Sequence, residues 1–209
     1  MEPWQNNYIC KKNMKKILLS TLLSSFCATA AFSQGTDLFF SEYLEGSSNN
    51  KAIEVFNPTD AAINLAGYKI YRFNNGSATP TDSLLMQGML APGEVYVIGN
   101  SSAEAGITSV SDTLHSITFF NGDDALSIYK ISTATTLDVI GVIGNDPGTN
   151  WPVGTGATSE FTLVRKASIN GGTTNWASGA TQWDVYPQNT MSYLGAHTYT
   201  VLPVKLVSF

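Results

Sequence analysis

Beyond residue 34, the chain is a succession of short runs in which apolar and polar or aromatic positions alternate. In Tyr68–Phe73, for example, the first, third and fifth residues alternate with Lys69, Tyr71 and Phe73. A period of two predicts strands whose successive side chains face opposite sides of a sheet. We predict about nine such strands: Leu38–Leu44, Lys51–Phe56, Tyr68–Phe73, Leu84–Leu90, Glu94–Ile98, Ile117–Phe120, Ala125–Ser132, Leu137–Ile143 and Phe161–Val164.

Turn-forming residues separate these runs and set their lengths. Asn74-Asn75-Gly76 and Ala91-Pro92-Gly93 are typical of turns that tolerate positive φ. We also expect Gly67 to adopt a positive φ before Tyr68, and Asn57 to close an Asx-turn. Charged residues and strong helix formers are sparse, and we predict no helix beyond residue 34. The pattern indicates an all-β sandwich whose polar side chains serve mainly in turns.

The first 33 residues have the pattern of a secretory signal. We interpret 1–13 as an upstream extension, which leaves Met14 as a candidate start. Residues 14–33 then form a signal peptide with a basic start, an apolar run and small residues before a cleavage site after Ser33. A retained anchor and a lipoprotein attached at Cys27 are the alternatives. We expect a secreted or outer-surface location and no membrane span in the mature chain, since the apolar run is shorter than a span requires.

Removal of the signal changes the chemistry that is available. Both cysteines, Cys10 and Cys27, precede the cleavage site, so the mature chain has no disulfide, thiolate metal site or cysteine nucleophile. The full chain has 11 Lys and Arg against 16 Asp and Glu; four lysines and one glutamate lie in 1–33, which leaves 7 against 15 and a net charge of −8. This balance disfavours nucleic-acid binding, and Arg165-Lys166 is the one basic pair.

The domain predicted from these patterns covers residues 34–198. Residues 199–209 contain one more alternating run, from Val201 to the last residue. We interpret this segment as the start of a linker or of a further domain. On this interpretation the chain is a fragment of a longer exported protein. A short final edge strand is the alternative.

Several motifs occur in a recognisable order. They are Ser41–Tyr43, Ile53–Asn57, Asn64–Ile70, Leu90–Ile98, Gly122–Tyr129, Leu137–Gly141 and Thr162–Lys166. Together they resemble the lamin-tail domain family, in which a Ser-Glu strand is followed by an apolar-Glu-apolar strand and a Leu-x-Gly-aromatic turn. The resemblance covers about residues 37–197, and the longer stretch Asn145–Asn175 departs from it. It implies an immunoglobulin-like sandwich that serves as a non-catalytic appendage of secreted or surface hydrolases.

Candidate sites are few, and each has a structural alternative. His115 and His197 stand apart from any nucleophile motif, so we expect no catalytic residue. Asp123, Asp124 and Asp146 are calcium candidates because hard cations take several oxygen ligands, although Asp is also an ordinary turn residue.

Aromatic residues suggest a second kind of site. Trp151, Trp176 and Trp183, with Tyr186 and Tyr193, could form an aromatic surface for sugars or protein partners, or they could close the ends of the core. We therefore expect a non-catalytic binding or positioning module without a cofactor, its partner being a protein or a glycan at the cell surface. A calcium-assisted carbohydrate-binding sandwich is the alternative.

Overall fold

The computed structural model describes residues 32–33, 35–200 and 202–203. The upstream extension 1–13, both cysteines and all but the last two residues of the predicted signal peptide lie outside the described residues. Residues 201 and 204–209 of the predicted linker also lie outside them. Among the helices that the structure describes, none is long and apolar enough to cross a membrane.

The described elements are almost all strands. In chain order they are β1 Phe32–Ser33, β2 Phe39–Glu45, β3 Lys51–Phe56, β4 Ile63–Asn64, β5 Tyr68–Phe73, β6 Asp82–Leu85, β7 Met89–Leu90, β8 Val95–Gly99, β9 Thr113–Leu114, β10 Ala125–Lys130, β11 Thr135–Ile140, β12 Pro152–Val153, β13 Gly156–Ala157, β14 Phe161–Arg165, β15 Trp183–Pro187 and β16 Leu202–Pro203. Two single-turn helices, α1 Ala105–Thr108 and α2 Trp176–Gly179, and the 3-10 turns Leu65–Gly67, Ser116–Thr118 and Ala180–Gln182 complete them.

Two large sheets form the sandwich. The first has six strands in the order β15-β14-β2-β3-β8-β9, and the second has four in the order β11-β10-β5-β6. All neighbours are antiparallel except β8 and β9, which are parallel. Three two-stranded pairs, β1-β16, β12-β13 and β4-β7, lie outside the large sheets. This architecture confirms the predicted immunoglobulin-like β-sandwich.

The main core lies between the large sheets. It contains Tyr43 and Ile53 from the six-stranded sheet and Ile70, Leu126 and Ile128 from the four-stranded sheet, all fully buried. Burying an aliphatic side chain of this size stabilises a fold by roughly 2 kcal/mol. Packing of this kind holds the two sheets together.

The six-stranded sheet is buried on its other face as well. Leu44, Ala52 and Val97 form a second apolar cluster with Ile107 of α1 and Leu194 near the end of the chain. Every residue of β2 and β3 is therefore buried. Alternation in these strands distributes side chains between two buried environments rather than between core and solvent.

Most of the predicted strands are confirmed, and two are wrong. The run Leu84–Leu90 is interrupted after Leu85, because Gly88 has a φ of +97° and the chain passes from one sheet to another pair. The run Ile117–Phe120 is not a strand, since His115 Nδ1 accepts a hydrogen bond from Ile117 N–H and caps a 3-10 turn. The expectation of no helix was also wrong, because the structure contains the two single-turn helices α1 and α2.

The predicted turns are largely confirmed. Gly93, Asn75 and Gly76 have positive φ, and Asn57 Oδ1 accepts a hydrogen bond from Thr59 N–H at 3.0 Å as an Asx-turn requires. Gly67 does not have the expected positive φ, because it ends the 3-10 turn that begins after Asn64.

Candidate functional site

Two glutamates lie side by side on the second face of the six-stranded sheet. Register pairs Glu42 of β2 with Glu54 of β3, and both side chains are about 1% exposed. Ser41 Oγ donates to Glu54 Oε1 at 2.7 Å, and Gly195 N–H donates to Oε2 at 2.7 Å. Neither carboxyl oxygen of Glu42 has a hydrogen-bond partner among the described residues. This pair corrects the expectation that polar side chains serve mainly in turns.

The surroundings of Glu42 and Glu54 affect the pKa values of the two carboxyl groups differently. Burial raises the pKa of Glu42 to about 9, and the charge of Glu54 adds to the rise. Burial also raises the pKa of Glu54, but hydrogen bonds from Ser41 and Gly195 oppose that rise. Two carboxylates at paired positions cannot both be ionised at low cost. At neutral pH we therefore assign the proton to Glu42.

Residues 190–200, here called the strap, cross the face that carries these glutamates. Leu194 joins the second apolar cluster, and Gly195 makes the hydrogen bond to Glu54. The ring of His197 contacts Phe56 with centroids 4.9 Å apart and Phe39 at 5.9 Å. Burial, with a smaller effect of the Arg165 charge, lowers the pKa of His197 to about 4, so its imidazole is neutral at pH 7. The strap thus covers Glu54 and the apolar cluster beside it.

A buried ion pair joins the two large sheets. Asp138 of β11 accepts hydrogen bonds from Arg165 of β14 and from the backbone N–H groups of Phe40, Val139 and Thr173. Burial raises the pKa of Asp138, and the Arg165 charge and the three N–H donors oppose the rise. Both side chains are inaccessible to a ligand, so the role of the ion pair is structural: it links β11 to β14. Arg165 therefore adds nothing to a surface basic patch with Lys166.

The three calcium candidates lie in one acidic region, but Asp124 and Asp146 each accept hydrogen bonds from different backbone groups. Asp124 is buried and accepts hydrogen bonds from the N–H groups of Asn75 and Asn121. Asp146 Oδ1 accepts from Gly148 N–H at 2.7 Å. Burial raises the pKa of Asp123, with smaller contributions from nearby acidic charges. Within the described residues no three His, Cys, Asp or Glu side chains are grouped to hold a metal ion.

The three candidate tryptophans are in the main core. Trp151 and Trp176 are about 6% exposed and Trp183 about 3%. Trp183 lies against the Arg165 guanidinium, with 4.1 Å from the guanidinium carbon to the ring centroid. All three rings are almost fully covered, and their burial fits the alternative in which they close the core.

The two histidines also lie in different surroundings. His115 acts through Nδ1 as the cap of a 3-10 turn. The Nε2 atom of His197 is buried and has no hydrogen-bond partner among the described residues. The structure does not bring the two together.

The two candidate tyrosines do form a surface feature. Tyr186 of β15 and Tyr193 of the strap have ring centroids 4.5 Å apart and planes inclined by 38°. They line a small cleft of about 150 Å³ together with Asp184, His197 and Thr198. A hydrogen bond with Tyr193 is the largest cause that raises the pKa of Tyr186 to about 12.

A second aromatic surface lies on the solvent side of the four-stranded sheet. Register places Leu85, Lys69, Tyr129 and Thr136 in one row across its four strands. Tyr71 lies in the next row, with its ring centroid 5.3 Å from that of Tyr129. We call Lys69, Tyr71, Leu85 and Tyr129 the aromatic face.

The aromatic face is open and carries one free positive charge. Leu85 is 43% exposed, and the other three side chains are half-buried. Lys69 Nζ lies 5.9 Å from the centroid of Tyr71. Of the six Lys and Arg in 35–200, four are in ion pairs, and Lys69 is one of the two that are not.

The sequence itself contains signals for the aromatic face and for the glutamate pair. The alternation in Tyr68–Phe73 already placed Lys69 and Tyr71 on one face of their strand. Glu42 and Glu54 are the acidic residues of the two strand motifs, and the apolar and aromatic residues that flank them indicate burial. The pairing of the glutamates and the cover over them depend on the strap, which is distant in sequence.

Comparison with known proteins places the chain in a family. No curated protein matches it. A crystal structure of a DUF4876 family protein from Bacteroides thetaiotaomicron VPI-5482 is similar with a TM-score of 0.45 and 13% identity, over 84% of this chain and 74% of that chain. The family model described as Lamin Tail Domain matches residues 31–144, which is more than half of the sequence. The chain therefore belongs to the lamin-tail domain family.

Proposed function

We propose that this chain is an exported, non-catalytic lamin-tail module that binds and positions a partner protein. In this role it is an accessory domain of a larger exported or cell-surface protein such as a hydrolase. The signal-like residues 14–33 support export. The aromatic face is the observation that carries the binding role, because half-buried tyrosines on a flat sheet offer contact area at low entropic cost.

The charge of the aromatic face indicates the kind of partner. Its row across the sheet contains no carboxylate, whereas 15 Asp and Glu stand against six Lys and Arg in 35–200. Lys69 is therefore a local cation in an acidic protein, and its ammonium group has no acidic partner in the described residues. A segment with a carboxylate beside an apolar side chain complements this surface.

A cell-surface retention assay tests the proposal. The full chain is expressed in its native host, and the fraction retained on washed cells is compared for the wild type and the double variant Tyr71→Thr/Tyr129→Thr. Threonine keeps strand propensity while it removes the rings. We expect retention to fall at least about tenfold, as for loss of paired aromatic anchors at an interface. The N-terminus of the exported protein should begin at Gln34.

Phe119→Ala is the matched control, because Phe119 is 54% exposed and follows the 3-10 turn Ser116–Thr118, outside the four strands that carry the face. It removes a ring from the surface and should leave retention unchanged. Equal retention of the wild type and the double variant, with unchanged thermal stability, would refute the role of the aromatic face. Recovery of the chain in the cytosol alone would refute export.

A further inference from the structure

We propose that the cleft between β15 and the strap is a binding subsite for one pyranose ring of a neutral glycan. One wall consists of Asp184 and Tyr186 on β15, and the other of Tyr193, His197 and Thr198 on the strap. The cleft lies outside residues 31–144, the segment that the family model matches. The inference goes beyond the proposed function, because the site and the ligand class both differ from those of the aromatic face, and it rests on that function only in that the chain binds its ligand without transforming it.

The tyrosine pair supplies a rigid aromatic surface. Tyr193 is 38% exposed, so part of its ring is available to a ligand. The contact between the two rings, with centroids 4.5 Å apart, restricts both of them before any ligand arrives. A pyranose has an apolar C–H face that packs against such a ring, and a pre-organised ring loses little entropy on binding.

Polar groups with unused hydrogen-bonding capacity surround this surface. The carboxylate of Asp184 makes no hydrogen bond or ion pair within residues 35–200, and it is exposed. Thr198, on the opposite wall, is exposed as well. The hydroxyl groups of a sugar can donate to the Asp184 carboxylate and pair with the Thr198 hydroxyl.

Charge and size restrict the ligand class. Arg165 also lines the cleft, but its guanidinium is paired with the buried Asp138. The unpaired charge of the cleft is therefore that of Asp184, which disfavours a uronate or sulfated sugar, and the acidic balance of the chain adds to that repulsion. A volume of about 150 Å³ is below the roughly 300 Å³ at which pockets enclose drug-sized ligands. The cleft therefore accommodates a single ring, and the rest of a glycan chain extends into solvent.

Affinity electrophoresis of the full chain in gels that contain polysaccharide tests the inference. The neutral probes are soluble β-glucan, xylan and galactomannan, and the acidic probes are polygalacturonate and alginate. We expect at least one neutral polysaccharide to retard the wild type. Tyr193→Ala should weaken the apparent affinity at least about tenfold, and Asp184→Asn should also weaken it. Phe119→Ala is the matched control, because Phe119 is 54% exposed and does not line the cleft, and it should migrate as the wild type does.

Three results would overturn the inference: no retardation by any neutral polysaccharide, retardation by acidic polysaccharides alone, or retardation that Tyr193→Ala and Asp184→Asn leave unchanged. A thermal melt of each variant shows that the fold is intact. The two proposals fail separately. Cell-surface retention depends on Tyr71 and Tyr129, whereas glycan retardation depends on Tyr193 and Asp184.

Discussion

Replacing Glu42 with glutamine should stabilise the protein, and the gain should grow with pH. The folded-state pKa of Glu42 is about 9, whereas its ordinary value is 4.5. Between these values the folded protein holds a proton that the unfolded chain releases. The stability contribution of Glu42 is therefore complete below about pH 4.5 and is lost as the pH rises to about 9.

The expected loss of folding free energy follows from the interval between the ordinary pKa of 4.5 and the folded-state pKa of about 9. Each pH unit within it costs about 1.4 kcal/mol. At pH 5 the loss is about 0.7 kcal/mol, and at pH 7 it is about 3 kcal/mol, because pH 7 lies 2.5 units above the unfolded value. Glutamine has nearly the shape of the protonated acid and no proton to lose. Glu42→Gln should thus unfold at a higher urea concentration than the wild type at pH 7.

Urea unfolding followed by tryptophan fluorescence measures this difference, since Trp151, Trp176 and Trp183 are all buried. The free energies of unfolding of wild type and variant are compared at pH 5, 7 and 8.5. Glu94→Gln, at an exposed position in a turn, is the control and should change little at any pH. A difference between wild type and Glu42→Gln that stays constant over this range would refute the assignment of a buried, protonated Glu42.

Three further predictions concern the rest of the candidate groups. Asp138→Asn leaves Arg165 buried without a counter-charge and should cost about 3–5 kcal/mol in the free energy of unfolding, whereas Asp138→Leu/Arg165→Met should cost less; urea titrations compare them. Trp151→Ala should destabilise the fold by about 3–5 kcal/mol and leave polysaccharide retardation unchanged, as melts and gels would show. Millimolar calcium or EDTA should leave the Tm unchanged, because Asp124 already accepts two backbone N–H groups; a rise of several degrees with calcium would contradict this.

Local pattern was sufficient for strands that strong turn residues enclose. The strand Lys51–Phe56 has its predicted bounds, since Asn57 closes it through an Asx-turn. The prediction of one strand over Leu84–Leu90 was wrong because its apolar residues belong to two strands. One is β6 of the four-stranded sheet and the other is β7, which pairs with β4, and Gly88 with its positive φ lies between them. Hydrophobicity alone does not distinguish one long strand from two short ones.

The burial of the candidate groups depended on contacts that no local pattern contains. Glu54 accepts a hydrogen bond from Gly195, which is 141 residues away, and Leu194 covers the same face. Alternation in β2 and β3 was compatible with one solvated face, as in many antiparallel sheets. The strap and α1 turned that face into a second interior, in which both acids are buried.

The tryptophans and tyrosines of the C-terminal third show the same limit. The sequence places three tryptophans and two tyrosines in one stretch, but only tertiary packing decided which of them were covered. The three tryptophans became core, whereas Tyr186 and Tyr193 met across a cleft. This division follows the general behaviour of the two residue types, because tryptophan is highly buried on average and tyrosine tends to keep its hydroxyl group in water.

The binding role of the aromatic face has one most direct test. The photo-crosslinking residue p-benzoylphenylalanine replaces Tyr71 in the exported full chain, and in a control it replaces the exposed Phe119. After irradiation of intact cells, the Tyr71 position should give one discrete adduct with an exported protein, identified by mass spectrometry, and the Phe119 position should not. The absence of an adduct at position 71, or the same adducts at both positions, would contradict the account.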